Sequence, residues 1–157
     1  MPLPVGALAP AFTLPTVSDG EVQRISLADH LGKDVVVLLF FPAVNTPVCT
    51  HQMCHSKDEI PALEDAVVYG ISVDLPWAQS MWAQANNIPV TLLSDHDLSD
   101  TTAYDAVWPS FAGIPVSARA SFVIDRNGTI SYSDVTPTLG DLPDAGQLQR
   151  AVESALS

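Results

Sequence analysis

The chain predicts an α/β fold, with a mixed central sheet flanked by helices and preceded by an N-terminal hairpin. Three observations support this. Val35–Phe41 and Ala66–Val73 are short, mostly apolar runs, the pattern of strands buried on both faces. Each run leads into a segment of helical length with proline at its start, Pro47 and Pro76, where a missing N–H costs nothing. A strand–turn–strand pattern and then an amphipathic segment close the chain. Strands separated by helices, with one terminal antiparallel hairpin, make a layered α/β sandwich whose sheet is mixed.

Taken in order, Thr13-Leu14 and Glu21–Leu27 predict a short hairpin turning at Ser18-Asp19-Gly20. Val35–Phe41 is the first buried strand, and Pro42 ends it. Thr46-Pro47 has the chemistry of an N-cap followed by proline at the first helical position, opening a helix that runs to about Asp58. Ala66–Val73 is a second buried strand, Pro76–Asn86 a helix, Thr91-Leu92-Leu93 a short strand and Ser99–Tyr104 a short helix. Ala120–Asp125 and Thr129–Tyr132 predict a hairpin across Arg126-Asn127-Gly128. Asp144–Leu156 closes the chain as an amphipathic helix. No repeat, linker or low-complexity segment interrupts the 157 residues, so one domain, 1–157, is expected. That length buries roughly two-thirds of the unfolded surface. The order fits a thioredoxin-like arrangement, which alone says little about function.

Composition narrows the function classes. With 47% hydrophobic and 15% charged residues, the chain reads as folded rather than disordered. Eighteen acids against six bases give a net charge of −12, which repels nucleic acid and anionic membrane, so neither is an expected partner. No apolar run approaches the ~20 residues that span a bilayer. Met1-Pro2-Leu3-Pro4 lacks the basic and apolar regions of a signal peptide, so a cytoplasmic location is expected. Cys49 and Cys54 are too few for a disulfide framework, and so close a pair points to redox or metal chemistry.

The stretch from Phe41 to Thr50 lies where a buried strand hands over to a helix. With Thr46 as N-cap, Cys49 is the third helical residue, where unpaired backbone N–H groups and the helix dipole favour a thiolate. The thiolate is the nucleophile, so this position makes Cys49 a candidate reactive residue, with a buried structural cysteine as the alternative.

At these residues the chain resembles a family. Pro42-x-x-x-Thr46-x-x-Cys49 is similar to the active-site signature of the peroxiredoxins, thiol peroxidases on a thioredoxin-like fold. Ile71-Ser72-Val73-Asp74-Leu75-Pro76-Trp77-Ala78-Gln79 resembles a segment of the bacterial thiol peroxidase branch, and Ala118–Asp125 with Asn127-Gly128 resembles the strand and turn that carry the family arginine. The resemblance covers nearly the whole chain. It implies that Cys49 is the peroxidatic cysteine, attacking a peroxide oxygen and becoming a sulfenic acid. It implies that Thr46 directs its hydroxyl at the sulfur and the peroxide, and that Pro42 shields the thiolate. Arg119 would set a fixed positive charge beside Cys49 and stabilise charge on the departing oxygen. The alternative for Arg119 is a strand-edge arginine paired with a surface acid. Arg126, in a turn, is expected to be exposed, as are His30 and His96 in loops; Arg24 and Arg150 carry no motif.

The five-residue step from Cys49 to Cys54 resembles the bacterioferritin-comigratory (PrxQ) branch, where the resolving cysteine shares the helix of the peroxidatic one. The thiol peroxidase branch resolves from the next helix, near Ala83 here, where there is no cysteine. Gln52 stands where the PrxQ pattern usually has glutamate. A single-cysteine enzyme resolved by an external thiol is the alternative. Cys49, His51, Cys54 and His55 are four potential metal ligands in seven residues, but without the spacing of a zinc or haem motif. A disulfide oxidoreductase would need a Cys-x-x-Cys that is missing. The reading is therefore an atypical two-cysteine peroxiredoxin that reduces hydrogen peroxide or small organic hydroperoxides. The resemblance implies recycling by thioredoxin or a similar dithiol, no metal, haem or flavin cofactor, and a monomer or homodimer.

Overall fold

In the computed structural model, which describes residues 2–157, every residue of the strand Val36–Phe40 is buried. This strand is the third of nine among the described residues. An N-terminal hairpin, β1 (Thr13–Ser18) and β2 (Glu21–Ser26), precedes it as β3, and α1 (Pro47–Glu59) follows. Then come β4 (Val67–Ser72), α2 (Pro76–Asn86), β5 (Thr91–Ser94) and α3 (Ser99–Ala103). A hairpin of β6 (Val107–Phe111) and β7 (Ile114–Ser117) leads to β8 (Ala120–Ile124), β9 (Ile130–Val135) and α4 (Ala145–Leu156).

The central sheet runs β5-β4-β3-β8-β9. β3 pairs in parallel with β4, and β4 with β5, while β8 runs antiparallel to both β3 and β9. The sheet is mixed, as expected for parallel crossovers through helices followed by a direct hairpin. Alternation along β3 divides the core: Val36, Leu38 and Phe40 join Phe122, Tyr104 and Leu14 on one face. Val37, Leu39 and Phe41 meet Met53, Trp82, Leu148 and Val152 on the helical face.

The order and kind of the central elements agree with the sequence, with four corrections. The hairpin β6–β7 is absent from the sequence expectation; its turn places Ala112 and Gly113 at φ 53° and 83°, and alanine rarely marks such a turn. β1 extends through Pro15 to Ser18, because an edge strand tolerates proline. Arg126 is half-buried rather than exposed and donates to the carbonyls of Lys33, Ala155 and Leu156, so it binds the last carbonyls of α4. His30 is half-buried too, held between Asp34 Oδ2 at 2.9 Å and the Tyr69 hydroxyl at 2.7 Å.

α1 lies on the sheet over Gly70 of β4. A Cβ there would stand 2.7 Å from Leu92 Cδ2 and 3.2 Å from Met53 Sδ, so glycine permits the close approach of the helix that carries both cysteines.

Candidate active site

Phe41 donates its N–H to Ile71 O, extending β3 by one residue before Pro42 turns the chain away. The loop to α1 is fixed from β4: Asp74 Oδ2 accepts from Val44 N at 2.9 Å and from Ser72 Oγ at 2.7 Å. Asn45 takes a left-handed conformation (φ 61°), which asparagine tolerates. Thr46 occupies the N-cap with extended backbone, and Pro47 opens the helix. Its side chain makes no capping bond; the hydroxyl donates to Ala43 O at 2.9 Å. A role donating to peroxide therefore requires that bond to be exchanged, while the lone pairs remain available as acceptors.

Cys49 is the third residue of α1, as the spacing predicts, and is only 1% exposed. The buried residues of α1 are Cys49, Gln52, Met53 and Ser56, one face at i, i+3, i+4 and i+7. Arg119 immediately precedes β8 and is 2% exposed. Its Nη2 donates to Cys49 Sγ at 3.1 Å and to Leu139 O at 2.9 Å. Its Nε also donates to Leu139 O at 3.1 Å, and Nη1 donates to Gln52 Oε1 at 2.6 Å. A thiolate accepts such a charge-assisted bond more strongly than a thiol does.

A pocket of about 260 Å³ brings together Pro42, Thr46, Cys49 and Arg119, four of the five residues that the sequence singles out. Val48, Phe111 and Leu139 make most of its wall apolar. Roomier clefts of about 380 and 460 Å³ elsewhere hold no cysteine. Cys54, the fifth residue, lies outside this pocket: its Sγ is 3.4 Å from Asn86 O at the end of α2. Both cysteines are free.

Three contributors escape the sequence. Leu139 acts through its backbone oxygen, which leaves no residue signature. Phe111 arrives on the unexpected hairpin, whose only cue is alternation on either side of Ala112-Gly113. Gln52 stands out in the sequence as a departure from a pattern, but nothing there indicates its contact with Arg119. The histidines take no part: His51 and His55 are exposed on α1, with rings 4.7 Å apart. Among the described residues no group of three or more His, Cys, Asp or Glu side chains is placed to hold a metal ion. Among them, too, no helix is long and apolar enough to cross a membrane.

The chain is similar to known proteins in both sequence and fold. The profile of the AhpC/TSA family matches residues 5–133. A thiol peroxidase of Bacillus subtilis is 36% identical over 152 residues, covering 96% of this chain and 86% of its own. A bcp peroxiredoxin of Coxiella burnetii is 40% identical over 139 residues, covering 83% of this chain and 87% of its own. Among solved structures, a peroxiredoxin-like protein of Aquifex aeolicus superposes with a TM-score of 0.83 at 27% identity, over 99% of this chain and 89% of that one. The reduced 2-Cys peroxiredoxin of Plasmodium vivax also gives 0.83, at 28% identity, over 97% and 81%.

Proposed function

Because this chain belongs to the AhpC/TSA family, the peroxiredoxins, we propose that it performs the family's thiol-dependent reduction of peroxides at Cys49. The thiolate sulfur attacks the nearer oxygen of a hydroperoxide. An S–O bond forms, the O–O bond breaks, and the leaving alkoxide or hydroxide takes up a proton, so that Cys49 becomes a sulfenic acid. Arg119 holds the sulfur and stabilises charge on the departing oxygen. Pro42 shields the sulfur, and Thr46 supplies an acceptor, and a donor once its bond to Ala43 is exchanged. The observation that supports this reading most is the buried pair of Arg119 and Cys49, 3.1 Å apart in a pocket at a helix N-terminus.

In the second step the Cys54 thiolate attacks the Cys49 sulfenic sulfur, an S–S bond forms and hydroxide leaves as water. An external dithiol of the thioredoxin class then reduces the bond and is itself oxidised to a disulfide. This makes the protein an atypical two-cysteine enzyme of the cytoplasm, complete as a monomer or within a homodimer. A one-cysteine reading is favoured by the contact of Cys54 with α2 rather than with Cys49. Single-turnover kinetics separate the claims. Cys49→Ser should abolish peroxide reduction, and retained turnover would overturn the assignment. Cys54→Ser should still consume one equivalent and then stall; continued turnover on a dithiol alone would favour the one-cysteine reading.

A further inference from the structure

Arg119 is buried, yet its partners include no carboxylate. They are the Leu139 carbonyl, the Gln52 amide oxygen and the Cys49 sulfur. A guanidinium does not deprotonate in a protein, and a buried charge is costly unless an opposite charge compensates it. Of its partners only the sulfur can become anionic. Gln52 is 6% exposed and stands three residues after Cys49 on the same face of α1. Its Oε1 must face the arginine, which has no acceptor, while its Nε2 has no protein partner. A glutamate in this place would be nearly isosteric and would neutralise the arginine at 2.6 Å.

We infer that Gln52 is a positioning residue: it fixes Arg119 through a neutral acceptor and thereby leaves the whole guanidinium charge to act on the Cys49 sulfur. This deepens the proposed mechanism and rests on Cys49 being the nucleophile. The other ionisable groups around the site do not displace that assignment. Glu59 shares with Gln52 the lining of a cavity of about 20 Å³, and Asp141 accepts from Thr138. Asp134 stands opposite Ser121 on β9, Asp144 caps α4, and Cys54 faces α2. None of them forms an ion pair with Arg119 among the described residues.

The test uses the full chain in a Cys54→Ser background, where Cys49 is the one remaining thiol. Thiolate absorbance and the rate of the first peroxide step are followed against pH for Gln52, Gln52→Glu and Gln52→Met. Gln52→Glu should move the acid limb of both profiles upward by about one pH unit, with on the order of tenfold slower reaction below it. Gln52→Met should lower the plateau rate at every pH, because Nη1 loses its anchor. A folded Gln52→Glu variant with an unmoved acid limb would overturn the inference. Should that variant not fold, an undiminished plateau in Gln52→Met would do so. A Cys49→Ser enzyme that still turns over would instead strike the underlying mechanism.

Discussion

Arg119 meets three acceptors, and each restrains the guanidinium differently. Leu139 O receives two N–H groups and sets the plane of the fork, Gln52 holds one tip, and the remaining tip meets the sulfur. Lysine could not reproduce this, since a point charge lacks the planar fork. Arg119→Met should slow the peroxide step by roughly 10²–10³-fold, the scale for losing one preorganised donor to a developing anion. It should also lower Tm, because Leu139 O and Gln52 Oε1 are left without their donor, while the buried charge itself is removed. Stopped-flow fluorescence beside calorimetry checks both, and a wild-type rate would contradict the role. At this scale Cys49, Thr46, Pro42 and Arg119 are legible because they form a spaced pattern of chemically specific types. The partner of the Thr46 hydroxyl is not, because a local backbone carbonyl competes for that donor. His30 and Arg126 depart from their expected exposure because both find partners distant in sequence or at a helix end.

On the scale of elements, the proposed two-cysteine mechanism asks two incompatible things of α1, to hold Cys49 beside Arg119 and to deliver Cys54 to it. Five residues of ideal helix separate the two Cα atoms by roughly 8.7 Å, at 1.5 Å and 100° per residue. A disulfide spans at most about 7 Å, so the bond requires α1 to unwind. The helix is suited to unwinding, since Met53 is its only large hydrophobic side chain that is fully buried and its other residues are mostly polar or short. Trp82 ties it to α2 by donating to Thr50 Oγ1 at 3.2 Å. Amide exchange from about Val48 to Lys57 should therefore speed up on oxidation; equal protection in both redox states would contradict the switch. Beyond the C-terminal end of β5, burial and then the charges of Asp95 and Asp97 push the Asp100 carboxyl up to about 6. Its folded value lies above the ordinary 3.8, so its contribution to stability is complete below 3.8 and is lost as pH rises through about 6. Asp100→Asn should raise Tm at about pH 8 and change it far less at about pH 4; an unchanged Tm at the higher pH would refute this. The buried strands and proline-led helices are legible because period and punctuation agree. The hairpin β6–β7 is not, since Pro109 and Ala112 contradict the local signals for strand and turn.

Taken whole, the molecule sets one buried cation among the described residues within a chain of net charge −12, and the sheet decides where that cation stands. β3 and β8 are antiparallel neighbours, with Phe40 opposite Ala120. The handover from β3 to α1 and the residue before β8 therefore emerge at the same end of the sheet, which brings residues 70 positions apart into contact. That juxtaposition is legible only through the resemblance, because strand order is not written in local pattern. The proposed mechanism resolves oxidation inside one chain, between Cys49 and Cys54. Mass spectrometry of the reduced protein after one equivalent of hydrogen peroxide, without reductant and with peptide mapping, tests it directly. Intramolecular resolution yields a monomer that has lost two hydrogens and carries a Cys49–Cys54 linked peptide. A disulfide-joined dimer, or Cys49 oxidised to sulfenic or sulfinic acid with Cys54 still a free thiol, would contradict it.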